Sequence, residues 1–361
     1  MSDAMKTAND GGVATRLESP TGLDLDRLRD WLARECPGLV AGELSASLIQ
    51  GGKSNLTYEL TDGVGQWIVR RPPLGVIMAT AHDMRREYTM ADALRNTDVP
   101  VARMLAYCGD KDVLGADFYI MERIEGVPYR YADEIKPLGE ARTRAIGTEL
   151  VGTLAKLHRV DPAEVGLDDF GRPEGFLGRQ VKRWKQQLDA SFTRELPGAD
   201  ELYKKLVAAV PAESASGIVH GDFRLDNVLM GTDDLPAAVI DWEMATLGDP
   251  LLDLALMLTY QRRARIVAGR ESTDPATYDV TMAPGYPSAE AIMTQYESES
   301  GRSLDGFGFH LGLSCFKLAG ISEGVRYRHI NRQTVGEGFE GSGSTVPLLL
   351  ELGLESLKEY K

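Results

Sequence analysis

Three observations predict an α+β chain with a small, mainly antiparallel β lobe that carries a helix, followed by a larger, mainly helical lobe. Strand-like runs separated by glycine turns crowd residues 47–70 and 101–124. Helical apolar periodicity dominates from residue 140 onward. A polar loop, His220-Gly221-Asp222-Phe223-Arg224-Leu225-Asp226-Asn227, lies between the apolar runs at 218–219 and 228–230, and a further acid, Asp241, closes the run Ala237-Ala238-Val239-Ile240.

The bulk numbers suit a globular protein. The chain has 361 residues, 43% hydrophobic and 26% charged, with a formal net charge of −14, enough for one large unit or two domains. An acidic balance opposes binding to a phosphate backbone, which usually rests on a basic face. No apolar run approaches the roughly 20 residues that span a bilayer, and residues 1–15 carry no signal-peptide pattern, so a cytoplasmic location is expected. Cys36, Cys108 and Cys315 lie far apart with no Cys-x-x-Cys pair, as reduced, buried thiols would.

Residues 1–22 read as a flexible tail, rich in small polar residues. A first helix is predicted over 23–36, with Asp24 as N-cap, Leu25, Leu28, Trp31 and Leu32 at helical spacing, and Pro37-Gly38 as the stop. Residues 47–60 read as strand, glycine turn, strand, and 66–70 as a third strand after Asp62-Gly63. Backbone N–H groups around Gly51, Gly52 and Ser54 could cradle phosphate oxygens; taken alone the turn reads better as an ordinary hairpin, and its place ahead of the polar loop is what favours the cradle. A helix over 83–94 and strands over 101–108 and 118–124 complete the lobe; Gly126 and Pro128 then break the chain.

Helices are expected over 140–158, 179–191 and 199–210, through Tyr296, over 309–326, and over 346–360. His158, ending the first of these, reads as a packed or capping histidine. The stretch from Met244 to Ala255 is read as running directly into a helix, with Asp249 as cap and Pro250 at its first position. Gly320-Ile321-Ser322-Glu323-Gly324 matches a nucleophile-elbow pattern but lies in a helical run. Gly336-Glu337-Gly338-Phe339-Glu340-Gly341 matches a dinucleotide fingerprint with no strand before it. Neither is read as functional.

The polar loop carries the chemistry. Phosphoryl transfer asks a protein for a carboxylate that orients the attacking hydroxyl and for hard oxygen ligands to magnesium, and Asp222, Asn227 and Asp241 supply that set. The spacing His-x-Asp-x-x-x-x-Asn matches a kinase catalytic loop, and Asp241 stands where the metal-binding acid follows it. Two departures, Gly221 at the middle position and Asp241-Trp242-Glu243 as the last triplet, resemble the aminoglycoside phosphotransferase-like (choline kinase-like) family of small-molecule kinases. The proline pair after Arg70-Arg71 and the stretches at 296–301 and 316–317 resemble the branch fused to acyl-CoA dehydrogenases. The resemblance covers about residues 25 to 330.

That resemblance implies a bilobed protein kinase-like fold, with an N-lobe at 23–124 and a C-lobe at 125–361. It implies ATP as phosphoryl donor and Mg2+ as cofactor, with Asp222 as catalytic base and Asn227 and Asp241 as metal ligands. Arg70 takes the place of the phosphate-pairing lysine, steadied by Glu87, although a surface pair with the neighbouring arginines would also explain Glu87. The backbone at Met121, Glu122 and Ile124 takes the adenine-binding hinge position. Arg224 either meets an anionic substrate or the γ-phosphate, or packs on a neighbouring carboxylate. Without an activation segment after Asp241, the acceptor is expected to be a small hydroxylated molecule rather than a protein. A hydroxyacyl-CoA-type metabolite, an aminoglycoside, and a nucleotide-binding pseudokinase without turnover remain as alternatives. Arg224, Arg262, Arg263 and Arg265 favour an anionic acceptor.

Overall fold

Asp24 accepts the Arg27 N–H at 3.0 Å and opens α1 (Leu25–Glu35), which buries Leu28, Trp31 and Leu32. The computed structural model describes residues 20–49, 55–74, 83–212, 214–268, 278–333 and 341–359. The glycine turn at 51–54 and the 336–341 motif fall largely or wholly outside them. Two units emerge, the first made of residues up to Arg85 with Met104–Arg123, the second of Arg86–Arg103 with Ile124–Lys361.

In the first unit, β1 (Ser45–Leu48), β2 (Leu56–Thr61), β3 (Gln66–Arg71), β4 (Met104–Cys108) and β5 (Phe118–Glu122) form one antiparallel sheet in the order β1-β2-β3-β5-β4. α2 (Met84–Ala93) and the single turn α3 (Lys111–Leu114) lie between strands in sequence. The turn after β2 is closed by the Asp62 carboxylate, which accepts from Gly65 and Val64 on one oxygen and from Ala41 and Gly42 on the other. Those backbone donors hold its carboxyl well below the usual range. Side chains alternating along β2 and β3 bury Tyr58, Leu60, Trp67 and Val69 against α1, where Trp31 meets Phe118 edge-on at 5.0 Å. Arg71 is also buried, donating to backbone carbonyls of Gly22, Leu114 and Pro72.

The second unit is mainly helical. The single turn α4 (Ala132–Ile135), α5 (Glu140–Arg159), α6 (Phe176–Ala190) and α7 (Ala199–Ala208) precede four short strands. These are β6 (Gly217–Val219), β7 (Val228–Met230), β8 (Pro236–Val239) and β9 (Thr246–Gly248). The helices α8 (Leu251–Ala268), α9 (Ala289–Ser300), α10 (Gly308–Ile330) and α11 (Val346–Glu359) follow. Apolar faces of α6, α7, α10 and α11 share one core containing Trp184, Leu202, Phe316 and Leu349.

β9 was not anticipated. The chain after Asp241 does not run directly into a helix but first pairs antiparallel with β6, Val219 opposite Thr246 and Gly217 opposite Gly248. Three residues are too few for a periodic signal, and only the partner strand makes them a strand. Gly320-Ile321-Ser322-Glu323-Gly324 lies inside α10, which leaves no elbow.

Candidate active site

The polar loop joins β6 to β7, with a short 3-10 turn at Leu225–Asn227. Val228 pairs with Val239, and Ile240 N–H continues the ladder to Asn227 O at 2.9 Å. This register brings Asn227 and Asp241, distant by sequence, to neighbouring positions at one end of the β7–β8 hairpin. Asp241 adopts φ 66° and ψ 58°, a left-handed conformation that asparagine and aspartate tolerate better than most residues.

The Asn227 Nδ2 donates to Asp222 O at 2.9 Å and to Asp222 Oδ2 at 3.3 Å. Its amide oxygen is then the atom left for a cation. Asn227 and Asp241 offer hard oxygen donors suited to magnesium, which commonly takes one or two protein ligands and completes its shell with water and phosphate. No group of three or more His, Cys, Asp or Glu that could hold a metal occurs among the described residues. An all-protein cage is therefore not what this donor set offers.

Burial pushes the Asp222 carboxyl upward, opposed by Arg224, Lys317 and His220 and reinforced by Asp226. His220 is fully buried; its Nε2 faces Ile240 O at 3.0 Å, and its Nδ1 accepts the Asp222 N–H at 3.3 Å. Nε2 must carry the hydrogen, because a carbonyl can only accept, so both ring nitrogens are engaged in bracing the loop. Gly221 has φ 88°, and a Cβ there would lie 2.7 Å from Met244 Cβ and 2.8 Å from Met244 O. Only glycine fits that position without movement.

Arg224 is held by carboxylates. Its Nε pairs with Asp226 at 2.9 Å, a terminal nitrogen lies 3.7 Å from Asp279, and the guanidinium lies 4.0 Å over the Tyr260 ring. Burial works against its charge, but Tyr260, Asp226, Asp222 and Asp279 outweigh it and raise the guanidinium's affinity for its proton. Arg262 pairs with Glu355 and Glu359, and Arg263 donates to Thr345. These last two arginines are engaged with the C-terminal segment, which removes much of their weight as an argument about the acceptor.

In the first unit Arg70 lies on β3 opposite Thr57 and Tyr119. Met121 and Glu122 end β5 opposite Ile68 and Trp67, and Ile124 follows in the second unit. Glu87 lies on α2 in the second unit and is 1% exposed, so it is not a surface residue. Its neighbours point elsewhere: Arg85 lies over Tyr107, and Arg86 over Phe170, whose carbonyl it also meets at 2.9 Å. Gly51, Gly52 and Ser54 lie outside the described residues.

One residue that sequence reasoning missed organises the loop. Asp253 on α8, 1% exposed, accepts the His220 N–H at 2.6 Å and the Gly221 N–H at 2.7 Å. His158 Nε2 also lies 3.3 Å from this carboxylate, and its Nδ1 lies 2.7 Å from the Tyr296 hydroxyl. Since a carboxylate only accepts, Nε2 carries the hydrogen and the tyrosine donates. The available signal was a lone acid in the apolar run Leu251-Leu252-Asp253-Leu254-Ala255-Leu256.

A small antiparallel sheet unit, a mainly helical unit and this loop define a kinase-like phosphotransferase fold. Residues 45–287 match the family model described as the phosphotransferase enzyme family, and the chain belongs to that family. A Ralstonia eutropha JMP134 protein provisionally described as an aminoglycoside phosphotransferase superposes with a TM-score of 0.80 at 33% identity, covering 94% of this chain and 99% of that one. Choline kinase from Cryptosporidium parvum shares the fold, with a TM-score of 0.61 at 13% identity over 93% of this chain and 96% of that one. An aminoglycoside phosphotransferase crystallised with AMP-PNP and hygromycin B also shares it, with a TM-score of 0.57 at 14% identity over 91% and 98%.

Among curated proteins, acyl-CoA dehydrogenase family member 11 of Gallus gallus is 34% identical over 93% of this chain. Family member 10 of Mus musculus is 32% identical over 90%. The chain spans only 44% and 30% of their respective lengths. No helix among the described residues is long and apolar enough to cross a membrane.

Proposed function

We propose that the protein is an ATP- and magnesium-dependent O-phosphotransferase acting on a hydroxyl of a small molecule. The observation that carries this reading is the Asp222–Asn227 contact at the end of the hairpin that ends at Asp241. A half-buried carboxylate, an amide oxygen and a second carboxylate within one loop and hairpin suit proton acceptance beside a metal-bound phosphate. Asp222 takes the acceptor's hydroxyl proton as the hydroxyl oxygen bonds to the γ-phosphorus, and the bond from that phosphorus to the departing ADP breaks. Asn227 and Asp241 hold magnesium, which when bound would neutralise phosphate charge. Arg70 adds positive charge at the phosphates, with Glu87 as its steadying acid. Gly51, Gly52 and Ser54 are proposed as phosphate-contacting residues, and the backbone at Met121, Glu122 and Ile124 as the adenine-binding stretch.

For the acceptor, a hydroxyacyl-CoA-type metabolite is the proposal to test first; the relatives named as acyl-CoA dehydrogenase family members prompt it without giving the acceptor. Near Asp222, Lys317 on α10 adds a positive charge, which suits a polycationic aminoglycoside less well. The test is a coupled ADP-release screen over hydroxyacyl-CoAs, aminoglycosides and choline-like alcohols, with Asp222→Ala as control. The variant should lose about a hundredfold or more in turnover, the usual scale for a lost general base, while ATP affinity stays near wild type. Equal turnover by Asp222→Ala would overturn the assignment, and ATP binding without turnover on any acceptor would favour a pseudokinase.

A further inference from the structure

Lys317 is a half-buried cation near Asp222 that has no part in the proposed phosphotransfer step. It sits midway along α10 in the apolar run from Phe309 to Ala319. Its ammonium donates to Gly221 O at 2.6 Å and lies 5.7 Å from the Trp184 ring. No carboxylate pairs with it among the described residues. Burial pulls the ammonium down from the ordinary lysine range and Arg183 adds to this, while Asp222 and Asp253 oppose it. An ammonium partly withdrawn from water and answered by one carbonyl is costly to keep, and groups kept at such a cost cluster at functional sites.

The carbonyl it holds belongs to the peptide bond that enters Asp222. The N–H on the other side of Gly221 is held by Asp253 at 2.7 Å. Helices α8 and α10 therefore grip one left-handed glycine from opposite ends, the acid taking its N–H and the lysine its C=O. The groups around this grip are His220, Arg224 and Asp226 of the loop, Asn227, Tyr260 and Asp253 of α8, and Arg183 of α6.

We infer that Lys317 is a positioning residue, fixing the plane of the Gly221–Asp222 peptide and so aiming the Asp222 carboxylate. Without the ammonium, that peptide plane keeps the longer 3.3 Å bond from the Asp222 N–H to His220 Nδ1, and the Asp222 side chain one bond further on is aimed less firmly. The kinetic arm of the test rests on the proposed phosphotransfer; the exchange arm does not.

Lys317→Met keeps most of the stem and removes the charge. Three outcomes are expected together: faster amide hydrogen exchange at 221–223 with exchange in the α8 and α10 cores unchanged, a melting temperature no lower than wild type, and kcat lower by about tenfold or more. Displacements of an ångström can cost this much, while KM for ATP and for the acceptor should stay within about twofold. Lys317→Arg should restore part of kcat. The inference is overturned by unchanged exchange in the loop, by wild-type kcat in Lys317→Met, or by activity that falls only in proportion to a lowered melting temperature. Should the wild-type protein phosphorylate nothing in the screen, the proposed function fails and the exchange result alone decides the role of Lys317.

Discussion

The β2–β3 turn of the first unit and the polar loop of the second are both held by a buried aspartate that accepts backbone N–H groups, but the two acids come from different distances. Asp62 takes Val64 and Gly65, two and three residues on, and Ala41 and Gly42, 21 and 20 residues back. Asp253 takes His220 and Gly221 across 33 and 32 residues, and Lys317 reaches Gly221 across 96. His158 joins the same carboxylate across 95. The sheet turn closes over short sequence separations, whereas the loop is assembled only when α5, α8 and α10 have packed. A loop whose shape depends on finished packing is rigid in the native state, as a site that orients a proton acceptor must be.

The sharpest way to break this contrast is Asp253→Ala. It leaves two backbone donors and a neutral histidine N–H without their acceptor in a dry interior, and should cost about 3–5 kcal/mol, given about 1–3 kcal/mol for each buried donor left unsatisfied. Urea unfolding measures it, and a loss below about 1 kcal/mol would mean that the loop is held by other contacts. Phe118→Ala probes the other unit. Removing a fully buried ring that packs on Trp31 should cost about 3 kcal/mol, with hydrogen exchange rising in β3, β4 and β5 but not at 220–227. Equal exchange in that loop would show that the two regions do not unfold independently.

The smallest effect is a pH dependence. Burial pulls the His158 ring below its ordinary 6.5, so the folded ring stays neutral while the unfolded chain takes up a proton below that pH. Its contribution is complete above pH 6.5 and shrinks as the pH falls beneath it, by at most about 1.4 kcal/mol per pH unit. Asp253 adds a second decline in stronger acid. Burial pushes its carboxyl up, but the hydrogen bond and charge of His158, with His220 and the Gly221 N–H, outweigh burial and hold it below 3.8. Its contribution is present above that value and lost as the pH falls towards the depressed native one. His158→Gln should flatten the stability profile between pH 6.5 and 5, and an unchanged slope would sink the assignment.

Much of the architecture was legible because its signals are local. Asp24 capped α1 as its position suggested, the strand runs at 56–61 and 66–71 formed, and the α5 pattern ended at Arg159, one residue beyond the expectation. β9 and α3 escaped notice because three or four residues carry no period. At the site, the offsets of His220, Asp222 and Asn227 marked the loop. The pairing of Arg224 with Asp226, two residues on, was one of the two readings open from sequence; nothing local revealed Asp279, because it lies beyond an entire helix in sequence.

The amino-acid sequence by itself determined the order of strands and helices, the loop that carries the acid and the amide, and glycine at position 221, since these depend on periodicity, spacing and backbone freedom within a few residues. Only the tertiary structure decided that Asp253 and Lys317, each among mainly apolar neighbours on its own helix, would meet the two ends of that glycine. A buried charge announces in the sequence that it needs a partner. Which partner it finds depends on how helices far apart in the chain come to pack, and no short stretch of sequence contains that information.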